Sequence, residues 1–169
     1  MADITALIMD DHEWFRRQFA RLDDARTTEE LGAIWTPLGL RLDAHAEAEE
    51  TIFYPHLLTR GEQADDQAEE ETDDAIRDHN KIRDAVADAR RFPVGSDEWF
   101  DAVGRARKEN TEHLGEEEDE GLPDFRKHAS ADLREELGRR WIEFFEAHPN
   151  GAGISGADVD PEEYLEDHS

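Results

Sequence analysis

HAEAEETIFYP, residues 45–55, is echoed by HLGEEEDEGLP, residues 113–123. Each stretch carries a histidine, a pair of glutamates at plus four and plus five, and a proline at plus ten. On an α-helix a spacing of four is about 40° of rotation and about 6 Å of rise, so His45 with Glu49, and His113 with Glu117, each face one inward point. An ionised carboxylate on an apolar helix face costs several kcal/mol unless something cationic compensates it. A pair of metal ions would supply that compensation.

The repeat extends upstream. DDHEWFR around His12 resembles RDHNKIR around His79, and the histidine-to-histidine gaps in the two halves are 33 and 34 residues. The chain therefore reads as two helical hairpins with one ligand set apiece. Buried histidines satisfied by buried glutamates, with no metal, are the alternative reading of the same pattern.

Periodicity supplies the helices. Ile4, Ile8, His12, Phe15, Phe19 and Leu22 form one stripe in a helix over about 3–24. A second helix opens at Thr27 and Glu30, which have capping-box spacing, and its stripe runs from Leu31 through Trp35, Leu38 and Leu42 to His45, Glu49 and Phe53. Pro37 and Pro55 are expected to bend or end it. The polar stretch 60–74 spans a loop and the exposed start of a third helix, which carries Ile76, His79, Ile82 and Val86. Pro93 and Gly95 break the pattern before a fourth helix with Trp99, Val103, Ala106, Asn110, His113 and Glu117.

A fifth helix over about 131–147 offers Leu133, Leu137, Trp141, Phe144 and Phe145 as a docking face. The residues from Pro149 read as a flexible acidic tail. The fold class is all-α: an antiparallel four-helix bundle over 1–128, an appended helix over 129–148 and the tail over 149–169.

Composition narrows the chemistry. With no cysteine, any metal sits on nitrogen and oxygen, and disulfides, iron–sulfur clusters and thiolate nucleophiles are excluded. A net charge of −26, from 45 acidic and 19 basic residues, opposes binding to nucleic acid or anionic membranes. The start of the chain lacks the features of a secretory signal, and no apolar run approaches the length of a membrane span, so a cytoplasmic location is expected. No GxGxxG, GxxxxGK or GxSxG motif occurs, which leaves nucleotide-binding and serine-hydrolase readings without support.

The order His12, His45xxxGlu49, His79, His113xxxGlu117 on four successive helices resembles the hemerythrin-like (HHE cation-binding) family over roughly residues 5–125. The resemblance implies a non-haem di-iron centre, oxo- or hydroxo-bridged, inside the bundle. His12, His45, His79 and His113 match its histidine ligands, while Glu49 and Glu117 match its bridging carboxylates. Manganese or zinc would suit redox use less well than iron. The ferritin-like di-iron fold is the nearest rival, but no histidine here has a glutamate three residues before it.

Two departures from the oxygen-carrying members matter. Those have HxxxH on the third helix where this chain has Ala75, and HxxxxD on the fourth where it has Glu117 and Glu118. About two of twelve octahedral positions then stay open, which favours peroxide or other small-oxidant chemistry over reversible oxygen carriage.

Tyr54, Glu50 and Glu118 are further candidates, as extra ligands or as hydrogen-bonding supports; for Tyr54 a rim position with a wetted hydroxyl is the plainer reading. His56 falls near the rim, and His128, His148 and His168 fall in terminal segments facing solvent. The expected function is reaction with dioxygen or hydrogen peroxide, catalase-like or in oxidative stress. The alternative is a non-enzymatic module that binds or senses dioxygen, nitric oxide or iron, and an acidic interaction protein with adventitious metal is a third class. Protein partners and oligomeric state are not legible in the sequence.

Overall fold

A computed structural model describes residues 2–60 and 66–168, with the side chains of residues 60 and 66 outside the description. Among the described residues there is no strand. The elements are α1 (Ile4–Asp24), α2 (Thr28–Ala48), a π-turn (Glu49–Phe53), α3 (Tyr54–Arg60), α4 (Asp66–Arg91), α5 (Asp97–Glu116), a second π-turn (Glu117–Gly121), α6 (Leu122–His128), α7 (Ala131–Ala147) and, after a 3₁₀ turn (Pro149–Gly151), α8 (Pro161–His168).

Short polar connections make the hairpins. The Asp3 carboxylate accepts from the Thr5 amide at 2.9 Å and opens α1. Thr27 caps α2 through the Glu30 amide at 3.1 Å, while the Glu30 carboxylate reaches back to the Arg26 amide at 2.6 Å, one residue beyond the N-cap amide of a reciprocal capping box. Ser96 caps α5 after the turn at Gly95, whose φ of +85° is open to glycine and where an added Cβ would lie 3.0 Å from Thr28 Cγ2. α1 packs on α2, α2 on α4, α4 on α5 and α5 back on α1, which closes a four-helix bundle.

The core divides into two apolar layers. One gathers Phe15, Phe19, Trp35, Leu38, Ile82, Val86, Trp99 and Leu114; the other gathers Ile4, Ile8, Ile52, Phe53, Leu57, Ile76, Phe125 and Trp141. Burying one such side chain stabilises by roughly 1.5–3 kcal/mol. Each main helix changes layer close to a histidine: His12 lies between Ile8 and Phe15, and His79 between Ile76 and Ile82. A polar stratum is thereby held between two greasy ones.

Neither proline ends the helix, and the distortion expected at Pro55 takes the form of a widened turn just before it. α2 continues through Pro37, which sits on the solvent face where the carbonyl it frees meets water. Pro55 does not end its helix either, because a wider turn precedes it: the Tyr54 amide donates to the Glu49 carbonyl five residues back. The second half repeats this, with Leu122 donating to Glu117 ahead of Pro123. Each π-turn begins at the glutamate itself and absorbs the misfit that a proline would force on a regular helix.

α7 docks on α1, with Leu137 and Trp141 buried and Leu133, Phe144 and Phe145 partly so. The segment after Pro149 corrects the expectation of a flexible tail. It crosses the bundle, where Ser155 donates its amide to Glu47 at 3.1 Å, and Asn80 binds both the Val159 amide at 2.9 Å and its carbonyl at 2.7 Å. α8 then packs on α4 and buries Tyr164. The acidic composition concealed these few anchoring contacts. No helix among the described residues is long and apolar enough to cross a membrane.

Candidate metal centre

The polar stratum brings together all six residues expected as ligands. Nitrogen and oxygen atoms of His12, His45, Glu49 and Glu117 converge in one group, and those of Glu49, His79 and His113 in a second. All six are buried, with Glu49 at 0% exposure. Glu49 belongs to both groups: its Oε1 lies 2.7 Å from His45 Nε2, and its Oε2 lies 2.9 Å from His79 Nε2 and 3.6 Å from His113 Nε2. Glu117 Oε2 stands 3.7 Å from His12 Nε2 and 3.3 Å from His113 Nε2, so it too lies between the two hairpins.

The far sides of the imidazoles are also engaged. Glu118 accepts from His12 Nδ1 at 2.8 Å, Glu50 from His79 Nδ1 at 2.8 Å, and Asp11 from His45 Nδ1 at 3.0 Å. A carboxylate only accepts, so in each case Nδ1 carries a proton, and Nε2 is the nitrogen that faces inward. Each supporting carboxylate is held in turn by an arginine: Glu118 by Arg16 at 2.9 Å, Glu50 by Arg83 at 2.7 Å and Asp11 by Arg41 at 2.6 Å. Glu50 and Glu118 thus stand behind the histidines, each crossing from its own hairpin to the other.

Asp11 and the three arginines were not singled out from the sequence. A signal was present for Asp11, Arg16 and Arg83, because DHEWFR and DHNKIR place an aspartate before the histidine and an arginine four residues after it in both halves, whereas Arg41 has Glu109 at the matching position of the second half.

Electrostatics sharpen the convergence. Burial and the charge of His45 hold His12 down at about 4. Burial opposes protonation of His45, but the Glu49 charge and the Asp11 hydrogen bond outweigh it and raise its pKa to about 9. Burial and the Glu49 charge push Glu117 well above the usual carboxyl range. Opposing burial, His45 together with hydrogen bonds from the other histidines keeps Glu49 well below that range.

Even so, His12 Nε2, His45 Nε2, Glu49 Oε1 and both Glu117 oxygens are buried without a satisfactory hydrogen bond. Such a concentration of inward-facing polar atoms costs free energy unless a cation meets them. The buried cluster fits a metal site.

Tyr54 is buried with its ring centroid 6.0 Å from that of His79, so its side chain is inside the bundle and not at a wet rim. Burial, with the Glu117 and Glu49 charges, raises its hydroxyl well above the usual phenol range and keeps its proton in place. A cavity of about 650 Å³ reaches the cluster here, lined by Tyr54, Ala75, His113 and Glu117 among others. On the other side His45 is covered by Phe15 and Trp141, with ring centroids at 5.1 and 5.4 Å. His56 lies near Arg140, His128 pairs with Asp124, His148 binds the Ala152 carbonyl and His168 stacks on Tyr164, so none of the four joins the cluster.

No curated protein and no solved structure gives a significant match to the chain. The family model of the Hemerythrin HHE cation binding domain matches residues 3–125, a span that holds every residue of the two converging groups. The chain belongs to the hemerythrin HHE cation-binding family.

Proposed function

We propose that the cluster holds two iron ions and that the protein, a cytoplasmic one in this reading, reacts with dioxygen or hydrogen peroxide in a protective, catalase-like role. The observation that carries the number two is Glu49, whose two oxygens serve separate histidine groups. His12, His45 and Glu117 would hold one ion, His79 and His113 the other, with Glu49 common to both. Four imidazoles and two carboxylates form a borderline nitrogen and oxygen set suited to iron, and less to zinc or manganese if electrons are exchanged. Bound iron would supply redox chemistry and open positions for a small molecule.

The chain's own groups prepare that chemistry. Asp11, Glu50 and Glu118 fix the tautomer and ring orientation of three histidines, a support that raises ligand basicity. The arginines behind them neutralise the outer carboxylates. Tyr54 keeps a hydroxyl proton at the cavity wall. Ala75, in place of the histidine of oxygen-carrying members, lines the same cavity and leaves room for a small oxidant near the cluster.

The test is metal content and visible absorption of protein purified without added metal, followed by peroxide addition and oxygen detection. Two irons per chain with oxygen release is the expected result. Two irons without turnover would make the protein a binding or sensing module for dioxygen, nitric oxide or iron. No iron, or a single ion outside these residues, would overturn the di-iron reading.

A further inference from the structure

The cluster is deeply buried, so a metal ion must cross part of the protein to reach it. Approach past His45 is closed by the rings of Phe15 and Trp141, with α7 laid against α1. The cavity beside Tyr54 and Ala75 is the contrasting face, and its charge is one-sided. Glu70, Glu71 and Asp74 on α4 and Glu116 and Glu120 across from them line it, while no lysine or arginine among the described residues does.

Two further features point to a cation there. Glu117 is 4% exposed, lines the cavity and has both oxygens without a hydrogen bond. Glu71, held through one oxygen by Gln67 at 3.0 Å, leaves its Oε2 buried and unpartnered. Between these two carboxylates lies Gly121, where an added Cβ would stand 3.8 Å from Glu117 Cγ and 4.0 Å from Glu71 Oε2. The missing side chain leaves outer and inner carboxylates flanking one gap.

We infer that this cavity is the uptake route for the divalent cation, with Glu71, Asp74 and Glu120 drawing a hydrated ion in and Glu117 receiving it. The inference rests on the metal-centre reading above and adds a direction to it. A cleft lined by one sign of charge focuses field lines and raises counter-ion association by about 10–10³-fold at low salt. The field also disfavours anions, so the small molecules admitted by the same path are neutral ones.

The experiment follows Co²⁺ uptake by metal-free protein through its visible absorption in a stopped-flow instrument. The variant E71Q/D74N/E120Q alters no residue of the two converging groups. It should load at least about tenfold more slowly at low ionic strength, a gap that closes with salt as the screening length falls from about 30 Å to about 3 Å. Its final Co²⁺ content should equal that of the unaltered protein, which also reports an intact fold. A charge-matched control, E135Q/E136Q/E146Q on α7, should load at the original rate. Full loading at an unchanged rate in the first variant, or equal slowing in the control, would overturn the route and leave the centre standing. Failure of the unaltered protein to take up Co²⁺ would instead defeat the centre, and the route with it.

Discussion

The Tyr164 hydroxyl donates a hydrogen bond of 2.5 Å to the main-chain carbonyl of Glu50. Burial and the nearby Glu50 charge raise the phenol above its usual range, so it holds its proton and remains a donor. The bond ties α8 to the first π-turn, beside the residue that orients His79. Tyr164→Phe should therefore cost about 1 kcal/mol of stability, the worth of a buried neutral hydrogen bond. Urea denaturation checks this as a lower midpoint at unchanged slope. An unchanged midpoint would mean that this hydroxyl adds nothing to the docking of α8.

Glu49 meets charges on several sides, and its loss has two consequences. Without metal, Glu49→Ala leaves the imidazolium of His45 short of a counter-charge, and breaking such a buried pair costs about 3–5 kcal/mol. With metal, the variant should bind fewer than two ions per chain, measured by elemental analysis after dialysis. Asp11→Asn is the milder companion: it should keep both ions at saturation but weaken affinity by about 10–100-fold through His45. Full occupancy in Glu49→Ala would refute the proposal that Glu49 bridges two ions.

Gly138 marks the tightest approach between α7 and the start of the chain. A Cβ built there would fall 1.7 Å from the Ala2 carbonyl oxygen and 2.7 Å from the Ala2 carbonyl carbon. Those atoms are main chain and cannot swing aside as a flexible side chain would. Gly138→Ala should destabilise by about 1–3 kcal/mol despite its gain in helix propensity. A calorimetric scan showing a higher melting temperature would contradict this packing.

Asp3 gives the clearest dependence on pH outside the centre. Burial works against its charge, but hydrogen bonds from Arg134 at 2.7 Å and from Thr5 hold its carboxyl below the ordinary 3.8. A lowered folded-state pKa contributes stability above the unfolded value and loses it as pH falls through the folded one. Asp3→Asn, which keeps the cap but not the charge, should cost about 0.5–1 kcal/mol at neutral pH for this partly exposed pair. The gap between the two proteins in denaturant should shrink below about pH 4. A gap that widens on acidification would exclude the pairing.

The bundle was legible because Ile8, Phe15, Ile76, Ile82 and their like recur with helical period, and because the polar residues interrupting that period repeat in both hairpins. His45 with Glu49, and His113 with Glu117, are local in sequence, so helix geometry alone placed each pair on one face. The crossed supports are not local. Glu50 reaches His79 across 29 positions and Glu118 reaches His12 across 106, distances that no helical period encodes. The docking of Tyr164 stayed hidden for a related reason: one aromatic in an acidic octapeptide carries no periodic signal. Whether Pro37 and Pro55 would bend or end the helix was not legible, because proline's cost depends on whether solvent or a widened turn serves the orphaned carbonyl.

The paired π-turns give the second helix of each hairpin two independent phases. One inserted residue advances the remainder by about 100°, so the stretch ending at the glutamate and the stretch beginning at Tyr54 or Leu122 answer to different angular settings. Upstream, the setting is fixed by the need to aim histidine and glutamate at one point. Downstream, Leu57 and Phe125 are set by the apolar layer they complete. Substitutions that repack the layer of Leu57 and Phe125 can thus be absorbed at the widened turn without rotating the histidines and glutamates of the buried cluster, and the two ends of the bundle are free to diverge separately.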